Sequence, residues 1–336
     1  MIIEKIDNKD TSIYTWPNPN FPFYYYLKHD KCRIFIIANI FHNFLWLREG
    51  RNDIKPTDYF FTLTGFFVTK YSASLAAKVL DHLKINKDQF IILCNDFRDL
   101  QNYLNSGFSN CLLVNNNAWL NENLFSVIET KKIYDAILVG RPIKCKRLYL
   151  ANKVKNMALL TGHVTWGKQD DGLVLPPHVN DDSKRLNSNE MVEILNKSRC
   201  SLCLSDEEGA CYSSAESLLC GVPVVSTRSL GGRDVWYNED NSIICNDNEN
   251  DVALAVEQIK SKMFDAKKIR SRQITLTNYF RDIFINKLQE IFRQNTITDI
   301  DAKKYFSENY IHKMQKSSRN EEVVAFLKNT NVKYGK

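Results

Sequence analysis

The chain has 336 residues, 44% of them hydrophobic and 25% charged, with 45 lysines and arginines against 39 aspartates and glutamates. That length predicts two domains, and that composition supplies two apolar cores, which excludes a disordered or fibrous chain. The +6 formal charge is a mild bias that excludes a dedicated nucleic-acid binder with a dense basic stripe; it suits an anionic small molecule or an acidic membrane surface.

The opening MIIEKIDNKD has no basic stretch followed by an apolar run, and no run reaches the about 18 apolar residues that a membrane span needs. The expectation is a cytoplasmic protein, neither exported nor spanning a membrane. Nine cysteines, an odd number, scattered from Cys32 to Cys245, fit reduced thiols rather than a disulfide framework. Cys200, Cys203, Cys211 and Cys220 can be written as a four-thiolate zinc site. Cys200 and Cys203 fall in CSLCLS, which reads as a buried strand where residues three apart face opposite ways, so small buried hydrophobes are the preferred reading and no metal is expected.

In chain order, WPNPNFPFYYYLKHD (16–30) is aromatic and irregular, with packing at a sheet edge the preferred role. CRIFIIANI (32–40) and DYFFTLTGFF (58–67) read as strands, and SASLAAKVLDHLK (72–84) as a helix capped by Ser72 or Ser74. QFIILCND (89–96) is a third strand, FRDLQNYLNSG (97–107) a helix closed by glycine, and SNCLLVNNNAW (109–119) a fourth strand. SVIETKKI (126–133) is polar and helix-like. Beyond it YDAILVGR, MALLTGH, CSLCLSD, VPVVST and NSIICND read as strands, alternating with the helical patterns KRLYLANKVKN, NEMVEILNKS, SSAESLLC and DVALAVEQIKS. LTNYFRDIFINKLQEIF then sets Phe280, Ile283, Phe284, Leu288, Ile291 and Phe292 on one helical stripe, ahead of a basic tail. Alternating strand and helix predicts an α/β protein of two doubly wound parallel sheets, joined near residue 130.

Open parallel sheets bind ligands beyond the carboxyl ends of their strands, where helix N-termini offer unpaired N–H groups to anions. Residues 207–227, EEGACYSSAESLLCGVPVVST, follow that layout of strand, loop, helix and strand. Glu208 sits in the loop, Gly209 permits close approach of backbone to a ligand, and Ser213 or Ser214 is placed to cap the helix. Ser213-Ser-Ala-Glu216 also fits a capping box, in which Glu216 reaches back to the cap.

Glu208-x7-Glu216 followed by Cys220-Gly-Val-Pro-Val-Val225 resembles the E-x7-E motif of the GT-B glycosyltransferases, especially the retaining family 4 type. Val139-Gly140-Arg141, four residues and then Lys146 resembles the VGR-x4-K segment of the same family, and Ser229-Leu-Gly231-Gly232-Arg233-Asp234 resembles its GG-x-x-E turn, with Asp234 where the family has Glu. The resemblance implies a GT-B architecture, with two Rossmann-like domains facing across a cleft: residues 1–130 on the acceptor side, 131–272 binding a nucleotide-diphosphate sugar, and 273–336 crossing back to the first domain. It implies that Glu208, Arg141 and Lys146 are catalytic, with Glu208 on the donor sugar and the two cations on its phosphates. Glu216 would hold the ribose, the backbone of Gly209, Ala210, Cys211, Tyr212, Ser213 and Ser214 the diphosphate, and Gly140, Arg233 and His42 would line the site. His163 and the basic neighbours Lys144 and Arg147 are weaker candidates.

The resemblance departs at residues 38–50, where the family's glycine-rich loop is replaced by ANIFHNFLWLREG. The implied activity is transfer of a hexosyl group from a nucleotide sugar to a glycan or lipid-linked acceptor, with retention, in surface polysaccharide (lipopolysaccharide-type) assembly. No cofactor beyond the sugar nucleotide is expected, and a cytoplasmic or peripheral inner-membrane location is implied. Two other readings stay open: a nucleotide-sugar-binding protein that transfers nothing, and a nucleotide-sugar epimerase.

Overall fold

A computed structural model describes residues 23–65, 70–161, 174–181, 186–316, 318 and 320–328. The chain forms two compact α/β units, Met1–Trp119 with Phe280–Lys336, and Leu120–Tyr279. The divisions thus fall at 119/120 and 279/280, against the expected joints near 130 and 272.

The first unit holds a five-stranded sheet of order β1-β2-β3-β4-β5: Phe23–Lys28, Arg33–Ala38, Asp58–Leu63, Phe90–Cys94 and Cys111–Leu113. Strands β2 to β5 are parallel and β1 joins β2 antiparallel, so the aromatic FYYYLK segment is the edge of this sheet. Alternation along the strands sends Phe35, Phe60 and Phe90 to one face, where their rings stack at 5.1 and 4.9 Å and pack with Trp46 and helix Lys70–Leu83. On the other face Phe61 meets Phe284 at 4.5 Å, and Phe284, Leu288 and Ile291 are fully buried. The C-terminal helix Asn320–Leu327 buries Val323 and Leu327 in the first face. Strand β5 is shorter than the sequence pattern, because the asparagine run after it turns into the 3-10 helix Asn116–Trp119.

The second unit has a wholly parallel sheet of order β10-β9-β8-β6-β7: Ser242–Cys245, Val224–Thr227, Ser201–Cys203, Ala136–Val139 and Met157–Leu160. Its inner strands bury both faces. Ala136, Leu138, Met157 and Leu159 enter one core, and Ile137, Ala158 and Leu160 the other. From β6 the chain passes to β7 on one side and to β8 on the other, so the order reverses between β6 and β8. That crevice, beyond the strands' carboxyl ends, is where a doubly wound sheet receives its ligand.

Two expected helices are absent. Residues 126–133 are irregular; the side chain of Asn196 binds this stretch, accepting from Ile128 N at 2.9 Å and donating to Ser126 O at 2.9 Å. KRLYLANKVKN forms only 3-10 turns, because Arg147 takes a left-handed conformation (φ 48°) and breaks the helical path while Leu148, Leu150, Ala151 and Val154 are pressed into the core. Among the described residues no helix is long and apolar enough to cross a membrane.

Candidate functional site

Loops at the β6/β8 reversal bring together residues far apart in sequence. The turn after β6 ends at Lys146 and the loop after β8 carries Glu208, and the two form an ion pair in which the side chains are 17% and 5% exposed. Burial alone would lower the Lys146 pKa, but the Glu208 carboxylate more than offsets this and the net shift is upward, so the ammonium stays charged. The other Glu208 oxygen accepts from the Ser205 hydroxyl.

Behind Glu208 lies Arg233, fully buried. Its guanidinium donates to Ser205 O at 2.9 Å and Ser205 Oγ at 3.0 Å, to Thr227 O, and to Asp234 Oδ1 at 3.0 Å. Expected to line the site, Arg233 instead stands one residue back and holds Ser205 against Glu208. Asp234 closes its own turn by accepting from Ser229 N at 3.1 Å. Gly231, at φ 107°, has its α-carbon so close to Glu208 that any Cβ would collide with that residue's carbonyl. Glu208 N donates to Leu230 O at 2.8 Å and Leu230 N to Asp206 O at 2.7 Å, which fastens the two loops together.

Beyond Glu208 the helix Tyr212–Leu219 begins. Its N-cap is Cys211, with no side-chain cap bond, so the expected cap at Ser213 or Ser214 and the capping box with Glu216 are not formed. Ser214 and Ser217 turn their hydroxyls back to the carbonyls of Cys211 and Ser213, at 3.0 and 2.8 Å. Tyr212, Ser213 and Ser214 make up the first turn of this helix, the end whose dipole favours an anion. Glu216 is buried on the second turn.

Gly140 follows β6, its N–H bound to Leu160 O at 3.0 Å, and Arg141 comes next, partly buried. Gly209 is buried and Ala210 half-buried between Glu208 and the helix. Lys144 is exposed. Arg147 is a strut: it donates to Leu204 O at 2.7 Å, Thr227 Oγ1 at 2.8 Å and Asp247 at 3.0 Å, tying the β6 turn to the ends of β8 and β9. His42 belongs to the 3-10 turn Ile40–Asn43 of the first unit, its side chain outside the described residues, as is His163.

The four cysteines do not converge. Cys200 enters one core of the second unit and Cys220 the other. Cys203 and Cys211 do meet, with sulfurs 3.2 Å apart beside Glu208. A hollow lined by Ser126, Lys267, Arg270 and Ser271 lies elsewhere in this unit, and Arg270 there is committed to the carbonyls of Phe125, Leu219 and Glu122.

Sequence reasoning missed Ser205, the bridge between Glu208 and Arg233, and the strut role of Arg147. Neither has a motif: Ser205 acts through the side chains of Glu208 and Arg233, and Arg147 through acceptors at three strand ends, which no spacing rule encodes.

Residues 183–274 match the model of the family "Glycosyl transferases group 1". That segment contains Glu208, the first turn of helix Tyr212–Leu219, Glu216 and Arg233. No curated protein matches the chain. Among solved structures, TarM aligns at 14% identity with a TM-score of 0.54, over 77% of this chain and 54% of TarM. The sucrose-phosphate synthase of Thermosynechococcus elongatus aligns at 13% identity and TM-score 0.54, over 78% of this chain and 73% of that one. Anabaena Alr3699/HepE, solved with UDP and glucose, aligns at 10% identity and TM-score 0.51, over 76% and 77%. The chain thus spans about half the length of TarM. At 10–14% identity the likeness to these solved structures is one of fold.

Proposed function

We propose that this chain, with its group 1 glycosyl transferase segment on a GT-B fold, transfers a hexosyl group from a nucleotide-diphosphate sugar held in the unit Leu120–Tyr279. The observation that carries the reading is the Lys146–Glu208 ion pair at the strand-order reversal, set before the first turn of helix Tyr212–Leu219. It supplies a cation and backbone donors for a diphosphate, next to a carboxylate that can accept from sugar hydroxyls.

In this reading the sugar C1–O bond to the diphosphate breaks as the acceptor oxygen bonds to C1, and the acceptor's proton passes to the departing phosphate oxygen on the same face, giving retention. Negative charge grows on the diphosphate during this step, and Lys146 and Arg141, with the helix-start amides, stabilise it. Lys146 has three N–H donors; one serves Glu208, which leaves two directions for phosphate oxygens. Glu208 positions the sugar and is not a nucleophile; Glu216 takes the ribose. No metal is assigned. Because HepE was solved with UDP and glucose, UDP-glucose is the first donor to try. The acceptor is read as a glycan or lipid-linked glycan of a surface polysaccharide, met at an anionic membrane face through the basic C-terminal segment.

The test is product analysis with a donor panel and candidate acceptors. The reading expects nucleoside diphosphate release that depends on acceptor, and near-complete loss of it in Glu208→Ala with the fold retained. Wild-type turnover in that variant overturns the assignment. An altered sugar nucleotide without acceptor indicates an epimerase, and binding without turnover a non-catalytic protein.

A further inference from the structure

Cys203 ends β8 and Cys211 is the N-cap of helix Tyr212–Leu219, so the two cysteines bracket the loop that carries Glu208. Their side chains are 4% and 3% exposed and their sulfurs lie 3.2 Å apart. The function proposed above gives neither thiol a task. We propose that Cys203 and Cys211 form a reversible disulfide that switches the Glu208 loop between a binding and a non-binding arrangement.

Arg233 favours the Cys203 thiolate and Lys146 the Cys211 thiolate, while the Glu208 carboxylate beside them opposes both. The hydrogen bond with Cys211 lowers the Cys203 thiol against the effect of burial, and the Arg233 guanidinium adds to it, while the same bond and burial push the Cys211 thiol well up. A second pair, Cys94 with Cys111 on neighbouring strands of the first unit, provides a contrast: there the hydrogen bond from Cys111 and then burial push the Cys94 thiol far up, and Asp99 and Asp96 add to it. That pair is an internal control of the same residue type.

With hydrogen peroxide as oxidant, the Cys203 thiolate attacks one peroxide oxygen, the O–O bond breaks, and a sulfenic acid forms with release of hydroxide. The Cys211 sulfur then attacks the sulfenic sulfur as its own proton leaves, the S–O bond breaks, and water departs. Two thiols lose two electrons and two protons, and the peroxide becomes two waters. A dithiol reductant reverses the bond by two exchange steps. Closing the sulfurs from 3.2 Å to the disulfide length of about 2.0 Å draws the helix cap toward the strand end. Glu208 lies between the two cysteines in sequence, with its oxygens held by Lys146 and Ser205, so the contraction reaches that pair.

The consequence for binding rests on the nucleotide-sugar reading; the disulfide itself does not. Full-length protein is treated with hydrogen peroxide, alkylated under denaturing conditions and digested without reductant by a glutamate-specific protease, which cuts between the two cysteines at Glu207 and Glu208. The expected result is a loss of two mass units and a linked pair of peptides joined at Cys203 and Cys211, reversed by dithiothreitol and absent in Cys203→Ser, with Cys94 and Cys111 still alkylated. In parallel, the rise in Tm caused by UDP-glucose disappears on oxidation of the wild type and is insensitive to peroxide in Cys203→Ser. Absence of the linked peptides, or an oxidised protein that keeps the ligand-induced rise, overturns the switch. If the reduced wild type shows no rise with any sugar nucleotide, the binding reading fails, while the peptide map still decides whether the disulfide forms.

Discussion

Lys146 and Glu208, 62 positions apart in sequence, are joined as an ion pair where the second sheet reverses its strand order. Breaking such a pair strands a charge away from water, which costs about 3–5 kcal/mol when both partners are deeply buried. The lysine is 17% exposed, so Glu208→Gln is expected at the low end of that range in urea unfolding. The double variant Glu208→Gln, Lys146→Met is expected to lose less than the sum of the single losses. Strict additivity would mean that the two side chains do not stabilise each other.

Gly231 sets the position of that carboxylate from behind. At φ 107°, with the Glu208 carbonyl where a side chain would begin, Gly231→Ala forces the two loops apart. We expect a destabilisation of about 1–3 kcal/mol and a weakened response to sugar nucleotides. A variant with wild-type stability and wild-type binding would show that the Gly231–Glu208 approach is not needed.

These two contacts show what a linear sequence can reveal. Glu208, Glu216, Arg141 and Lys146 stand out as candidates because their spacing resembles family motifs, and the strands are legible because burial leaves unbroken apolar runs. Arg233 is expected in the site from its glycine turn, but the carbonyls it satisfies are those of Ser205, just past β8, and Thr227, the end of β9, and only folding brings those near. The cap of helix Tyr212–Leu219 was misread for a related reason: Ser213 and Ser214 bond back to carbonyls of the preceding turn, a use of serine that competes with capping. The helical reading of 146–156 failed at Arg147, whose left-handed backbone is fixed by its three acceptors on distant strand ends.

The first unit depends on a different buried pair. Arg33 meets Asp58 through Nε at 2.6 Å and Nη2 at 2.5 Å, and gives further bonds to Leu327 O at 2.8 Å and Asp53 O at 3.0 Å. Arg33→Met leaves Asp58 charged and fully buried while releasing the end of helix Asn320–Leu327. The expected loss is about 3–5 kcal/mol, measured by urea unfolding, together with faster proteolysis after residue 316. Unchanged stability would mean that Asp58 finds compensation from the Lys55 amide alone, now at 2.7 Å.

Stability on the acid side should carry the mark of His312. Burial, assisted by the Lys313 charge, lowers its pKa to about 4 from 6.5. The folded state therefore binds this proton less readily than the unfolded chain, and stability rises with pH between those values. The contribution is complete above pH 6.5 and is lost as pH falls toward 4. His312→Asn should flatten the stability profile over that window; an unchanged slope would place the acid sensitivity elsewhere.

In the proposed function Lys146 and Arg141 hold the diphosphate of a sugar nucleotide. Isothermal titration of reduced wild type and of Lys146→Ala, Arg141→Ala with UDP and UDP-glucose tests it most directly. Saturable binding by the wild type, weakened at least roughly tenfold, or about 1.4 kcal/mol, in the double variant, is the predicted result. Equal affinity in the two proteins, or no binding of any nucleoside diphosphate by a folded wild type, would contradict it.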